Sequence, residues 1–179
     1  MDWFESAESL LAKWKTQDQE AWGDFTLRAK QAIALAHKEA ERMNLDFIGV
    51  EHLLFGLVRL GQDGAANVLV ALGLPLETVR QELEAQIGSR PERKAGALIP
   101  FTSRAKNVLE TARQESKQQG CRYVGTEHLL LGLLKESEGV SANMFKKYGI
   151  NREQVRQKII QQLTTRLSNG EEGRERQRE

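Results

Sequence analysis

The sequence predicts an all-α fold: a tandem, pseudo-symmetric repeat of two four-helix units, about eight helices, behind an N-terminal amphipathic helix. Three observations predict it. The chain repeats itself at a fixed offset, each copy carries apolar residues at helical spacing, and no segment alternates as a strand would. The repeat is direct. Phe25-Thr26-Leu27-Arg28-Ala29-Lys30 recurs as Phe101-Thr102-Ser103-Arg104-Ala105-Lys106, an offset of 76. Gly49-Val50-Glu51-His52-Leu53-Leu54-Phe55-Gly56-Leu57 recurs at the same offset as Gly125-Thr126-Glu127-His128-Leu129-Leu130-Leu131-Gly132-Leu133. Residues 25–87 align with 101–163 without a gap, and 22 of the 63 positions are identical, which duplication explains and chance does not.

Each unit reads as four helices. The first spans about Leu27 to Met43, with Ala29, Ile33, Ala36 and Ala40 three or four residues apart. Thr26 and Thr102 are the expected N-caps. The second helix begins near Glu51 and ends near Leu60. The third covers about Ala65 to Leu72, where Gly73 stops it. The fourth starts near Pro75, a residue accepted in a first turn, and runs to about Ile87. In the second copy Asn151 can cap the fourth helix.

Residues 88–100 form the linker, with Pro91 and Pro100 bounding its second part. Its brevity predicts that the units pack together as a pseudo-symmetric pair. Residues 164–179 form a charged tail, expected to be disordered from Ser168 on. Residues 1–24 form the N-terminal extension. In it Trp3, Ala7, Leu10, Leu11 and Trp14 share a helical face, for packing on the domain or for docking in a partner's groove.

Composition narrows the function. The formal net charge is +1, which disfavours nucleic acid as the main partner, because phosphate contacts need clustered Lys and Arg. Cys121 is the single cysteine, so neither an intrachain disulfide nor a cysteine metal cluster can form. Nothing approaches the roughly 18 apolar residues of a membrane span, and Met1 to Glu20 lacks the apolar core of a secretion signal. The expectation is a cytoplasmic protein without membrane, metal or cofactor.

The paired motifs F-T-x-R-A-K and G-x-E-H-L-L-x-G-L, twice at fixed spacing, resemble the tandem-repeat N-terminal domain of Clp ATPases, most nearly the ClpC-type unfoldases. The resemblance covers about residues 25 to 163. It implies a two-repeat helical bundle that receives substrates or adaptor proteins and does not hydrolyse ATP. The chain has no G-x-x-x-x-G-K-[ST] loop to cradle phosphates. Its partners would be a Clp ATPase or Clp protease, with adaptor or substrate proteins. Full ClpC-type ATPases usually begin near the first F-T-x-R-A motif, and 24 residues precede it here. A stand-alone adaptor is therefore expected ahead of the alternative, a domain excised from a longer ATPase.

Glu51 and Glu127 are the sharpest site candidates. As acids at a helix start they are accounted for by the helix dipole alone. The resemblance adds a role. In ClpC-type domains the glutamate of G-T-E-H lies in a site for phosphoarginine. A carboxylate can receive a guanidinium in a forked pair, and helix-start N–H groups can hold a phosphate. Thr126 keeps the motif's threonine, whereas Val50 has no hydroxyl. Residues 25–87 hold six Lys/Arg against eight Asp/Glu, net −2, and residues 101–163 hold eleven against six, net +5. Both differences favour the second copy for an anionic ligand.

Arg28 and Arg104 are candidate partner contacts. Phe25 and Phe101 belong to the same surface by resemblance, although packing as hydrophobic staples is their plainer role. His52 and His128 lack His-Glu-x-x-His spacing and read as packing residues with a satisfied ring nitrogen. His37 is replaced by Arg113, and Cys121 by Leu45, so neither belongs to a repeated site. Two further functions stay open: a small hydrolase using Glu51 or Glu127, which nothing in the sequence encourages, and a decoy that blocks the substrate site of an ATPase.

Overall fold

Thr26 and Thr102 open two helices of equal length. In the computed structural model, which describes residues 22–61, 64–87 and 99–168, α1 spans Leu27–Arg42 and α5 spans Ser103–Gln118. Thr26 Oγ1 accepts the Ala29 N–H at 3.2 Å and Thr102 Oγ1 accepts the Ala105 N–H at 3.1 Å. Each bond satisfies one of the donors that a helix start leaves over. The remaining helices are α2 (Val50–Leu60), α3 (Gly64–Ala71), α4 (Leu76–Ile87), α6 (Thr126–Leu133), α7 (Gly139–Lys147) and α8 (Arg152–Ser168). The chain is all-α among the described residues, as the period predicts.

Small shifts from the expected bounds have local causes. Gly49 and Gly125 are the N-caps of α2 and α6, so these helices begin one residue before the glutamates. Pro75 stands just outside α4. Asn151 does cap α8: its Oδ1 accepts the Gln154 N–H at 2.9 Å, and Gln154 Oε1 accepts the Asn151 N–H at 3.2 Å. That is a reciprocal capping box. α8 continues to Ser168, beyond the expected limit at 163. The leader helix, most of the linker and the tail beyond Ser168 fall outside the described residues.

Ala29, Ile33, Ala36 and Ala40 are fully buried, which confirms the inner face of α1. Against that face α2 approaches backbone to backbone. A methyl group on Gly56 would lie 2.1 Å from the Ala32 carbonyl oxygen, and one on Gly132 would lie 2.5 Å from that of Val108. Only glycine permits helices to cross so closely. Gly73 and Gly149 end the third helices with φ of 85° and 65°, the left-handed backbone that stops a helix.

The two units interlock. α3 packs on α6 and α8 of the second unit as well as on α2 and α4 of its own, while α7 of the second unit packs on α2 and α4 of the first. Two parallel β-bridges stitch the loops together, Phe25 with Val124 and Ile48 with Phe101. The Thr26 N–H donates to the Val124 carbonyl at 3.0 Å and the Val124 N–H to that of Asp24 at 2.7 Å. Their counterparts run from the Ile48 N–H to the Pro100 carbonyl at 2.8 Å and from the Thr102 N–H to the Ile48 carbonyl at 3.0 Å. The bridges are related by the 76-residue offset, so they report the pseudo-twofold directly. Trp22 lies between the motif phenylalanines, 5.5 Å from the Phe25 ring and 5.9 Å from that of Phe101. A single apolar core runs through both units. Its leucines include Leu54, Leu57, Leu130 and Leu133, each contributing about 1.5–3 kcal/mol relative to an exposed side chain.

Candidate functional site at the starts of α2 and α6

The G-x-E-H motif is first a helix start. Gly49 and Gly125 lie in extended backbone at the N-cap, and the histidine three residues on turns back to them. His52 Nδ1 accepts the Gly49 N–H at 2.9 Å, and His128 Nδ1 accepts the Gly125 N–H at 2.9 Å. The imidazole thus does what Glu or Gln does in a capping box. Both rings are buried. An Nδ1 that accepts an amide proton carries none of its own, so the neutral ring holds its proton on Nε2. That atom is buried without a hydrogen-bond partner among the described residues. Burial pushes the His128 pKa down, and the charges of Glu127 and Glu115 only partly oppose it. The histidines are packing residues with one satisfied ring nitrogen, as read from the sequence.

The glutamate between glycine and histidine folds back over the helix start. The Glu127 carboxylate sits against two glycines. A methyl on Gly125 would come within 2.3 Å of Oε2, and one on Gly64, at the start of α3, within 2.2 Å of Oε1. Two bare α-carbons, one from each unit, therefore form the slot. Glu51 lies likewise over Gly49, where a methyl would come within 2.0 Å of Oε1. The residue matching Gly64 on that side is Val140, which has a side chain. Burial works against ionisation of Glu51, yet the carboxyl lies below its ordinary range, favoured by its own backbone N–H and the Arg104 guanidinium. His52 Nδ1 stands 3.4 Å from Glu51 Oε1. In its neutral form it serves the Gly49 amide instead.

Thr126 does not cap α6. It is the first residue inside the helix and is buried. Its hydroxyl accepts the Ala65 N–H of α3 at 3.3 Å and reaches Glu127 Oε2 at 3.5 Å. That oxygen joins the starts of two helices from different units. Val50 is buried too. The residue matching Ala65 on its side is Ser141, whose buried Oγ has no hydrogen-bond partner among the described residues.

The other predicted residues divide. Arg104 is half exposed and reaches the loop between α6 and α7: its Nε donates to Glu136 Oε2 at 2.8 Å and its Nη2 to the Glu138 carbonyl at 2.7 Å. Arg28 is exposed at the start of α1. Phe25 is 2% exposed and cannot meet a partner; the Arg113 guanidinium covers its ring at 4.8 Å. Phe101 is half-buried against Trp22. Neither phenylalanine can form a local staple, because the staple position in the first turn holds Lys30 or Lys106. They pack between the repeats. Sequence reasoning missed Gly64 and Glu136. The partners of both are far away in the chain.

Each glutamate thus belongs to a junction of both units and not to one copy. Each puts a carboxylate at a helix start, and at Glu51 the Arg104 guanidinium is close enough to favour the charged form. Among the described residues no group of three His, Cys, Asp or Glu side chains converges to hold a metal, and no single helix is long and apolar enough to cross a membrane.

The family described as Clp repeat (R) N-terminal domain matches residues 24–132 and 100–177. The chain is 44% identical over 142 residues to the negative regulator of genetic competence ClpC/MecB of Bacillus subtilis, a match covering 79% of this chain and 17% of that protein. It therefore spans under a fifth of that relative's length. The N-terminal domain of the chaperone ClpD from Arabidopsis thaliana superimposes with a TM-score of 0.65 at 25% identity, covering 82% of this chain and 99% of that one. A ClpV N-domain in complex with a VipB peptide shares the fold, with a TM-score of 0.61 at 19% identity over 74% of this chain and 82% of that one. The chain belongs to the Clp repeat N-terminal domain family.

Proposed function

We propose that the chain is a non-catalytic protein-binding module of the Clp proteolytic system, an adaptor or accessory subunit that receives arginine-phosphorylated polypeptides. One observation carries the reading: the Glu127 carboxylate is fixed in a glycine-lined slot at a helix start, where a guanidinium can meet it in a forked pair. The bare Gly64 α-carbon is what lets the carboxylate lie there. The N-terminal amides of α6 are the natural place for the attached phosphoryl group. Thr126 acts indirectly, by fixing Glu127 and the start of α3. Arg104 supplies positive charge beside Glu51, and Arg28 is its counterpart at the start of α1. A peptide-bound ClpV N-domain of the same fold supports polypeptide as the ligand class.

The test is titration calorimetry with phosphoarginine against wild type and Glu127→Gln, with arginine and inorganic phosphate as controls. Wild type should release heat with phosphoarginine alone, and Glu127→Gln should weaken binding about tenfold, the loss expected for one charge-assisted forked pair. No heat from wild type at millimolar ligand sinks the reading. A second reading, the substrate-receiving domain of a full Clp ATPase, is favoured by the 17% coverage of the curated relative. Pull-down of a Clp protease by the isolated chain supports the adaptor; failure to bind any Clp component supports the second reading.

A further inference from the structure

We propose that Glu136 is a built-in competitor at the Glu51 site, holding Arg104 away from an anionic ligand so that the two junctions differ in strength. The inference rests on the reading that Glu51 and Glu127 receive a guanidino-phosphate group.

The geometry is specific. Arg104 is the guanidinium of the Glu51 junction. It lies against the start of α7, where a methyl on Gly139 would come within 3.5 Å of Nη1, and α7 packs on α2, the helix that carries Glu51. Two of its three nitrogens are engaged, Nε by Glu136 and Nη2 by the Glu138 carbonyl. The Glu136 side chain is only 18% exposed, so water screens this pair less than a surface pair. A ligand that joins a guanidinium to a phosphoryl group needs a carboxylate for one end and a cation for the other. Glu51 is the carboxylate and Arg104 the cation. Glu136 occupies that cation and sets a negative charge beside the place a phosphoryl group would take.

Among the described residues the first repeat has no matching carboxylate. The counterpart of Arg104 is Arg28, and the counterpart of Glu136 is Leu60, a buried apolar residue that cannot hold a guanidinium. Among the described residues, the Glu136 carboxylate therefore distinguishes the two junctions. A positively charged second unit does not by itself raise affinity for an anion if its rim cation is already neutralised.

The experiment isolates the Glu51 junction by placing each variant in a Glu127→Gln background. Phosphoarginine is titrated at constant ionic strength into Glu127→Gln, Glu127→Gln/Glu136→Gln, and the triple variant that adds Arg104→Gln. Glu136→Leu, which copies the first repeat, is a second version of the key substitution, and thermal melts confirm that each protein is folded. Removing the Glu136 charge should tighten binding about fivefold, the release of one partly screened pair, and Arg104→Gln should abolish the gain. If wild type binds but neither Glu136 variant tightens the Glu51 junction, or if both weaken it, the inference is overturned and the phosphoarginine reading stands. If no protein in the series binds, both are overturned.

Discussion

Glu39 and Glu115 occupy the same register of α1 and α5, both are buried, and the two repeats answer them differently. Glu39 is held by its own helix: Arg42 donates Nε to Oε2 at 2.9 Å and Nη2 to Oε1 at 2.5 Å. Glu115 is held by another helix. Arg152 and Arg156 of α8 both donate to it, Arg156 at 2.6 Å. Burial opposes the charge on Glu115, yet the two guanidiniums keep its carboxyl below the ordinary range. In the first repeat the residue matching Arg152 is Leu76, and Arg80, matching Arg156, turns instead to Glu77 and Glu84 on its own helix. In one copy the buried charge is met within its own helix, by an Arg42 that also reaches Glu84 of α4 at 3.8 Å; in the other it is met directly by two arginines of the fourth helix. The net charge of +5 must be read accordingly. Arg152 and Arg156 serve a buried carboxylate, Arg113 pairs with Asp24, and Lys147 pairs with Glu82. Much of the charge that suggested steering of an anion holds the fold together.

The comparison can be broken most forcefully at the helix crossings that both repeats share. Gly56→Ala and Gly132→Ala each place a methyl group against a backbone carbonyl that cannot move aside. Each should cost about 3 kcal/mol in denaturant unfolding, with Gly56→Ala the worse, its contact being closer. Equal and negligible losses would mean that the helices simply slide apart. The buried acids come next. Glu115→Ala should cost about 2 kcal/mol, because it removes the tie to α8 and leaves two guanidiniums without their partner, though both are partly exposed. Glu39→Ala should cost about 1 kcal/mol, since Arg42 is half exposed and keeps Glu84 as a partner. Thermal melts of the pair decide it, and a larger loss at Glu39 contradicts the contrast.

Smaller effects sharpen the contrast at the site. Thr126→Val should cost about 1 kcal/mol by leaving the Ala65 N–H buried without an acceptor, while Val50→Thr should stay within about 0.5 kcal/mol. The smallest effect is one of pH. His128 has a folded pKa below its ordinary 6.5, so the unfolded chain takes up the proton first. The stability contributed by the neutral ring is complete above pH 6.5 and is lost as pH falls through that value toward the depressed pKa. The slope cannot exceed about 1.4 kcal/mol per pH unit. His128→Gln keeps an acceptor for the Gly125 N–H and should flatten this part of the pH–stability curve. An unchanged slope would assign it to another group.

What the sequence made legible was local. Thr26, Thr102 and Asn151 announced helix starts because a cap needs only a side chain three residues from its amide. Ala29, Ile33, Ala36 and Ala40 announced the buried face of α1 because the helical period is written in neighbouring residues. What escaped was long-range. Nothing near Gly64 says that Glu127, in the other repeat, lies on its α-carbon. Nothing near Thr126 says that its hydroxyl serves Ala65. Phe25 looked like a staple because the motif places it before a cap, yet Trp22 and Arg113 hold its ring. Of the proposed site, the two glutamates and arginines could be named from the motifs, while their companions across the junction could not.

The exchanged third helices bear on how the molecule comes apart. α3 contributes to the packing of the second unit and α7 to that of the first, so unfolding either copy strips apolar cover from the other. Repeat proteins that touch only their nearest neighbours can lose one module while the next persists. Here the two copies share their losses, and melting should be one cooperative transition seen alike by every probe. Pairings between residues such as Phe25 and Val124 must also close long loops before they contribute anything. That raises the contact order of a helical protein, and folding should be slower than its helix content alone implies.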